Sequence, residues 1–119
     1  MSLSLIDRND VVLRGRLAAP VELRELPSGD TLLSFTLTVR RPAPRPRAPR
    51  ADTITCISFT ESLVARAPGW KVDDVIEVEG ALQRRFWRGE SGVRVAHEVE
   101  CRKARKVRTP ARPAEAETA

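Results

Sequence analysis

The chain holds few of the side chains that covalent chemistry uses. Its 119 residues include one histidine, two cysteines, one methionine and no tyrosine. His97 falls mid-strand among apolar neighbours and reads as a packed core residue. No nucleophile stands in register with a base, no glycine-rich loop cradles a phosphate, and no set of residues has metal-ligand spacing. An enzyme, a metal site and a cofactor are therefore not expected. Cys56 and Cys101 form no CxxC pair and lack a histidine at zinc spacing. Both fall at inward strand positions, where they serve as small buried hydrophobes in a reducing compartment. No apolar run approaches the ~20 residues of a membrane span, and no secretory signal pattern opens the chain. The expectation is a cytoplasmic protein.

Aromatic residues are scarce as well: three Phe and two Trp. Aliphatic residues must supply most of a core, and the length suits one domain with a single core. Acid does not balance base. The formal net charge is +5, and arginine outnumbers lysine eighteen to three, which favours a polyanionic partner. GC-rich coding accounts for part of the arginine excess, so the places where arginines cluster carry more information than their number.

Alternation with period two marks the strands. In Asp10–Ala18, Val11, Leu13 and Leu17 share one face and Val12, Arg14 and Arg16 the other, with Gly15 marking a bulge or bend. Val21–Leu26 is a short extended piece, ended by the turn residues Pro27, Ser28, Gly29 and Asp30. Thr31–Arg40 turns Leu33, Phe35, Leu37 and Val39 inward. Arg40–Arg50, RRPAPRPRAPR, holds five arginines and four prolines. Proline denies it ladder hydrogen bonds, so it reads as a stiff, mobile, cationic loop. A polyanion would relieve the mutual repulsion of Arg40, Arg41, Arg45, Arg47 and Arg50. Asp52–Phe59 is the next strand, and Thr60 is placed to cap a short helix over TESLVARA. Trp70 follows Pro68 and Gly69 and is expected to plug the barrel end.

The strand from Asp73 to the turn at Arg88–Gly92 is the most informative. Ile76, Val78, Leu82 and Phe86 occupy one face. Glu77, Glu79, Gln83, Arg85 and Trp87 occupy the other, and a tryptophan beside arginine on a polar face is poorly explained by packing. Val93–Cys101 forms the last strand, with Val95, His97, Val99 and Cys101 inward. A basic segment, RKARKVR, follows it. Residues 1–107 form the domain, and 108–119 lack apolar residues beyond alanine and are expected to be a disordered tail. Five strands with a helix between the third and fourth is the element order of the all-β OB-fold barrel.

Three pieces in this order, NDVVLRGRLAAPVELRELPSGDTLLSFTLTV, ISFTESLVARA and DVIEVEGALQRRFW followed by GESG, resemble the bacterial single-stranded DNA-binding proteins over residues 9–107. The resemblance implies an OB-fold that commonly forms a homo-oligomer, a tetramer with a dimer as the other option. It also implies a cytoplasmic, nucleoid-associated protein that binds single-stranded DNA without sequence preference in replication, recombination or repair. In that family bases stack on sheet aromatics while basic residues hold phosphates. Phe59 and Trp87 match two such positions. Thr53 stands where a third aromatic is usual, and the fourth position falls in the Arg-Pro segment. The acidic C-terminal tip of the family has no counterpart in AEAETA, with only Glu115 and Glu117.

The expected interface is thus Trp87 and Phe59 as stacking platforms, with Arg14, Arg16, Arg84, Arg85 and Arg88 lining a groove. The loop arginines Arg40, Arg41, Arg45, Arg47 and Arg50 would reach over it. Stacking is worth ~1–3 kcal/mol per base, and arginine, whose planar head also stacks, can stand in for the missing aromatics. The alternative is an OB-fold interaction or oligomerisation module with incidental nucleic-acid contact.

Overall fold

Where apolar and polar residues alternate, the chain forms strands, and the long strands curl into a closed ring. A computed structural model describes residues 6–109. In chain order it contains β1 (Val11–Leu17), β2 (Glu22–Glu25), β3 (Thr31–Arg40), β4 (Ala51–Ser58), α1 (Glu61–Arg66) leading into a 3-10 turn (Ala67–Gly69), β5 (Val75–Gly89) and β6 (Gly92–Arg108). The ring runs β1-β5-β6-β4-β3 and closes through β1 and β3. Its ladders are antiparallel except between β4 and β6, where Cys56 faces Val99. This is the expected five-stranded barrel with one short helix. The short extended piece adds β2 to the outer edge of β3, with Leu23 opposite Leu33. No helix among the described residues is long and apolar enough to cross a membrane.

The core forms where five strands turn one face inward. Leu17, Leu33, Leu37, Ile76 and Val78 are fully buried. Trp70 plugs the barrel as expected, only 9% exposed and edge-on to Phe35 with ring centroids 5.4 Å apart. That T-shaped contact suits the ring quadrupoles. Cys56 and Cys101 are free and buried. The neighbouring Cys101 thiol, and then burial, push the Cys56 thiol up, so Cys56 is not poised as a thiolate. Thr60 does sit at the N-cap of α1, but its side chain makes no cap hydrogen bond. Ser58 acts instead: its buried hydroxyl accepts from the Thr60 N–H (3.1 Å) and donates to the Cys101 carbonyl (2.9 Å). The loop end of the barrel is tied by Asp74, whose Oδ2 accepts from the Lys71 N–H at 2.8 Å.

Three expectations are corrected. The last strand does not stop at Cys101 but continues to Arg108, because β5 goes on supplying partners: Ala104 faces Val78, Arg105 faces Glu77 and Arg108 faces Val75. The basic cluster is therefore strand, and its charges conceal the alternation carried by buried Ala104. Secondly, His97 is exposed, not packed in the core. Thirdly, Leu82, Phe86 and Val95 face inward by parity yet stand in solvent. β6 keeps its pairing to β4 as far as Val99, opposite Leu82, and beyond these two residues the β5–β6 pair leaves the barrel as a two-stranded ribbon. Most of the expected tail, residues 110–119, lies outside the described residues.

Just before the departure point lies a bulge. Glu79 faces Lys103 while Gly80 faces Cys101, so Arg102 is the extra residue. A Cβ on Gly80 would run into the Glu100 carbonyl. A Cβ on Gly15 would lie 2.5 Å from the Thr38 carbonyl oxygen, where β1 crosses from β5 to β3. Both glycines permit backbone approaches that close the ring. Gly80→Ala should therefore cost about 1–3 kcal/mol of stability, as overpacking against backbone does. Urea unfolding measures it, and an unchanged midpoint would contradict the close approach.

Candidate nucleic-acid interface

Outward-facing residues of the same strands build an open groove of about 830 Å³. Leu32 and Ser34 of β3, Thr55 and Ile57 of β4, and Phe59 just after β4 form its floor and one end. Leu23 and Arg24 of β2 form one wall, and Gln83, Arg84, Arg85 and Glu98 at the root of the ribbon form the other. Phe59, 43% exposed, stays out of the core because the chain turns there into α1. Trp87 is also 43% exposed and lies two residues beyond Arg85 on the same ribbon face. The Arg85 guanidinium carbon sits 4.8 Å from the indole centroid, a cation–π contact.

Glu98 holds this arrangement. Strand parity points it outward, as the sequence indicated, yet it is only 1% exposed. Gln83, directly opposite it, donates from Nε2 to Oε2 at 3.1 Å, and Arg85 donates from Nε to Oε1 at 3.0 Å. A buried carboxylate is tolerated only when paired in this way. Arg85 is thereby fixed between Glu98 and Trp87. Sequence reasoning passed over Glu98 because it looked like one more strand-surface acid. The available signal was its cross-strand position opposite Gln83, which needs the register to be known.

The other predicted arginines are dispersed. Arg84 borders the groove, but its guanidinium lies over Phe86. Arg14 is paired with Glu77, donating from Nη2 at 2.9 Å and Nε at 3.2 Å, and Arg105 donates to the other Glu77 oxygen at 3.0 Å. These three residues sit on β1, β5 and β6 and none of them lines the groove. Hydrogen bonds from Arg14, aided by Arg105, hold the Glu77 carboxyl below its ordinary range. Arg16 and Arg88 are exposed on β1 and on the ribbon, and Arg40 is exposed at the end of β3.

The Arg-Pro segment closes on itself. The Arg41 N–H donates to the Arg50 carbonyl at 2.8 Å and the Ala48 N–H to the Arg45 carbonyl at 3.0 Å. Arg47 takes a left-handed backbone, φ 68°. The Arg41 side chain clasps both oxygens of Asp52, at 2.9 and 2.8 Å. Arg41 is therefore engaged within the chain, while Arg40, Arg45, Arg47 and Arg50 point to solvent. None of the five lines the groove.

Comparison with known proteins fits this geometry. The chain matches the single-strand binding protein family over residues 8–107. It belongs to that family. Single-stranded DNA-binding protein 3 of Listeria innocua is 36% identical over 88 residues, covering 73% of this chain and 55% of that one. Single-stranded DNA-binding protein A of Bacillus subtilis is 36% identical over 88 residues, 73% of this chain and 51% of that one. The chain thus spans about half the length of these curated relatives. The Plasmodium falciparum SSB complex with ssDNA shares the fold, with a TM-score of 0.72 at 17% identity, over 87% of this chain and 96% of that one. Set against the family pattern, Thr53 is exposed on β4 next to the Arg41–Asp52 clasp, so an ion pair stands near the position of a missing aromatic.

The clasp has a pH signature. Hydrogen bonds from Arg41 hold the Asp52 carboxyl below its ordinary value, which is about 3.9. The folded pKa lies below the unfolded one, so the clasp contributes fully above the ordinary value and is lost as pH falls through the lowered one. Carboxyl-carbon NMR should show Asp52 titrating low in the native chain and at the ordinary value in Arg41→Ala. Identical midpoints in the two would contradict the clasp.

Proposed function

We infer that this protein binds single-stranded DNA without sequence preference, with bases stacked on Trp87 and Phe59 and phosphates held by arginine. The observation that carries the reading is a pair of half-exposed aromatics, Phe59 lining the groove and Trp87 on the ribbon two residues beyond Arg85 of its wall, in a chain of the single-strand binding family. Every base has a π-face, so stacking accepts any sequence. Arg85, braced by Glu98, supports the Trp87 platform from beneath and leaves its Nη groups for phosphate or base contacts. The solvent-facing arginines of the Arg-Pro loop supply further charge at the far end of β3 and β4. The cellular role that follows is protection and organisation of single strands in replication, recombination or repair, in the cytoplasm at the nucleoid.

We also read the chain as a homo-oligomer, a tetramer as its family suggests. Val11–Arg14 of β1 pair with β5 on one side and have no strand partner on the other among the described residues. An open edge of this kind favours pairing with a second strand.

Two tryptophans with unlike environments make the test direct, because Trp70 is buried and Trp87 exposed. Oligo-dT should quench emission in the native chain and not in Trp87→Phe, whose Trp70 still emits. Trp87→Ala and Phe59→Ala should each weaken binding by about tenfold or more, from the loss of one stacked base. Affinity should fall steeply with salt, with a log–log slope near −0.7 per phosphate contacted. No retention of oligo-dT at low salt would overturn the reading. The same samples on a light-scattering detector report assembly, and a monomer mass with and without oligo-dT would overturn the tetramer.

A further inference from the structure

Phe86 is the residue that alternation assigns to the core and the fold leaves in water. It is 55% exposed, on the face of the β5–β6 ribbon opposite Trp87. Arg84 and Arg88 flank it at two-residue spacing and leave the same face. His97, opposite Arg84, and Val95, opposite Phe86, complete that face from β6. The Arg84 guanidinium carbon lies 5.0 Å from the Phe86 ring centroid. Arg85 stands over Trp87 on the groove side at 4.8 Å, so each side of the ribbon carries its own aromatic–arginine pair. Between Leu82 and Arg88, and between Val93 and Val99, this face carries no carboxylate; Glu90 sits at the tip. No carboxylate pairs with Arg84 or Arg88 among the described residues.

The chemistry of the face selects its occupant. A protein surface covering Phe86 and Val95 would bury two guanidinium groups and would have to supply carboxylates to both. A single nucleic-acid strand supplies flat apolar bases and phosphates together, which suits an exposed ring between two unpaired cations. The ribbon is one sheet thick, so a strand leaving the groove past Trp87 can turn round the tip and meet the other side.

We propose that the back of the ribbon, Arg84, Phe86 and Arg88, is a second contact for single-stranded nucleic acid, reached by the strand that fills the groove. The inference rests on the single-strand reading above and extends it: the strand wraps the ribbon and does not end at Trp87. The test compares a short oligo-dT that fills the groove with a long one that can pass the tip, using Phe86→Ala and Arg88→Ala. Both side chains are exposed and neither lines the groove, so their removal spares the core and the groove. Phe86→Ala should weaken the long oligo about tenfold, the loss of one stacked base, and leave both the affinity and the Trp87 quenching of the short one unchanged. Arg88→Ala should lower the salt slope for the long oligo only, by about 0.7 for the phosphate contact removed. Equal weakening of short and long oligos by Phe86→Ala would overturn the inference, since the face would not be a separate contact. So would unchanged binding of both. Unchanged binding with a fall in solution mass would assign the face to a second copy of the chain. If the native chain binds neither oligo, the single-strand reading itself fails and this inference falls with it.

Discussion

The register shift at Gly80 is the constraint on which the rest of the molecule depends. On its barrel side, β5 and β6 form a wall with one face buried. On its outer side the same strands, unbroken, run past buried Glu98 and Val99 into a ribbon whose Phe86, Trp87, Val93 and Val95 stand in water. Only a residue without a side chain allows β5 to pass so close to the Glu100 carbonyl. The extra residue, Arg102, keeps inward parity on both sides of the bulge, so Val78–Ala104 below it and Leu82–Val99 above it stay in phase. With that phase fixed, Gln83, Arg85 and Trp87 take one face of the ribbon and Arg84, Phe86 and Arg88 the other.

A net charge of +5 says little about where a polyanion would be held, because several arginines are already spoken for. Glu77 engages Arg14 and Arg105, Asp52 engages Arg41, and Glu98 engages Arg85. Exposed pairs of this kind add little stability, but they remove cations from the set available to phosphate. Arg84, Arg88 and the outer arginines of the Arg-Pro loop make no such pair among the described residues. Glu98 is a different case. It is buried, and it fixes one arginine against the exposed indole, so its role is positional: it sets how Arg85 and Trp87 lie against each other.

The barrel was legible in the sequence because β3 and β4 alternate cleanly and Trp70 has nowhere else to go. The core of β5 was equally plain at Ile76 and Val78. What the pattern could not tell is that parity and burial part company beyond Gly80: Leu82, Phe86 and Val95 obey the inward rule with nothing to face. The strand content of Arg102–Arg108 was hidden because one small buried residue, Ala104, is all that marks it among five charges. At the site, Trp87 and Phe59 were visible as outward aromatics. The division of the arginines was not, since ion pairs such as Arg14–Glu77 depend on which strands become neighbours, and that is a property of closure.

The central claim is that one face, running from Phe59 in the groove past Arg85 to Trp87 on the ribbon, takes the bases of a single strand. Backbone amide NMR of the protein titrated with oligo-dT tests it most directly. The account predicts shifts concentrated at Ser34, Thr55, Phe59, Gln83, Arg85 and the Trp87 indole, with little change along Arg14, Glu77 and Arg105. Shifts centred on the Arg14–Glu77–Arg105 cluster, with the groove residues unmoved, would contradict it.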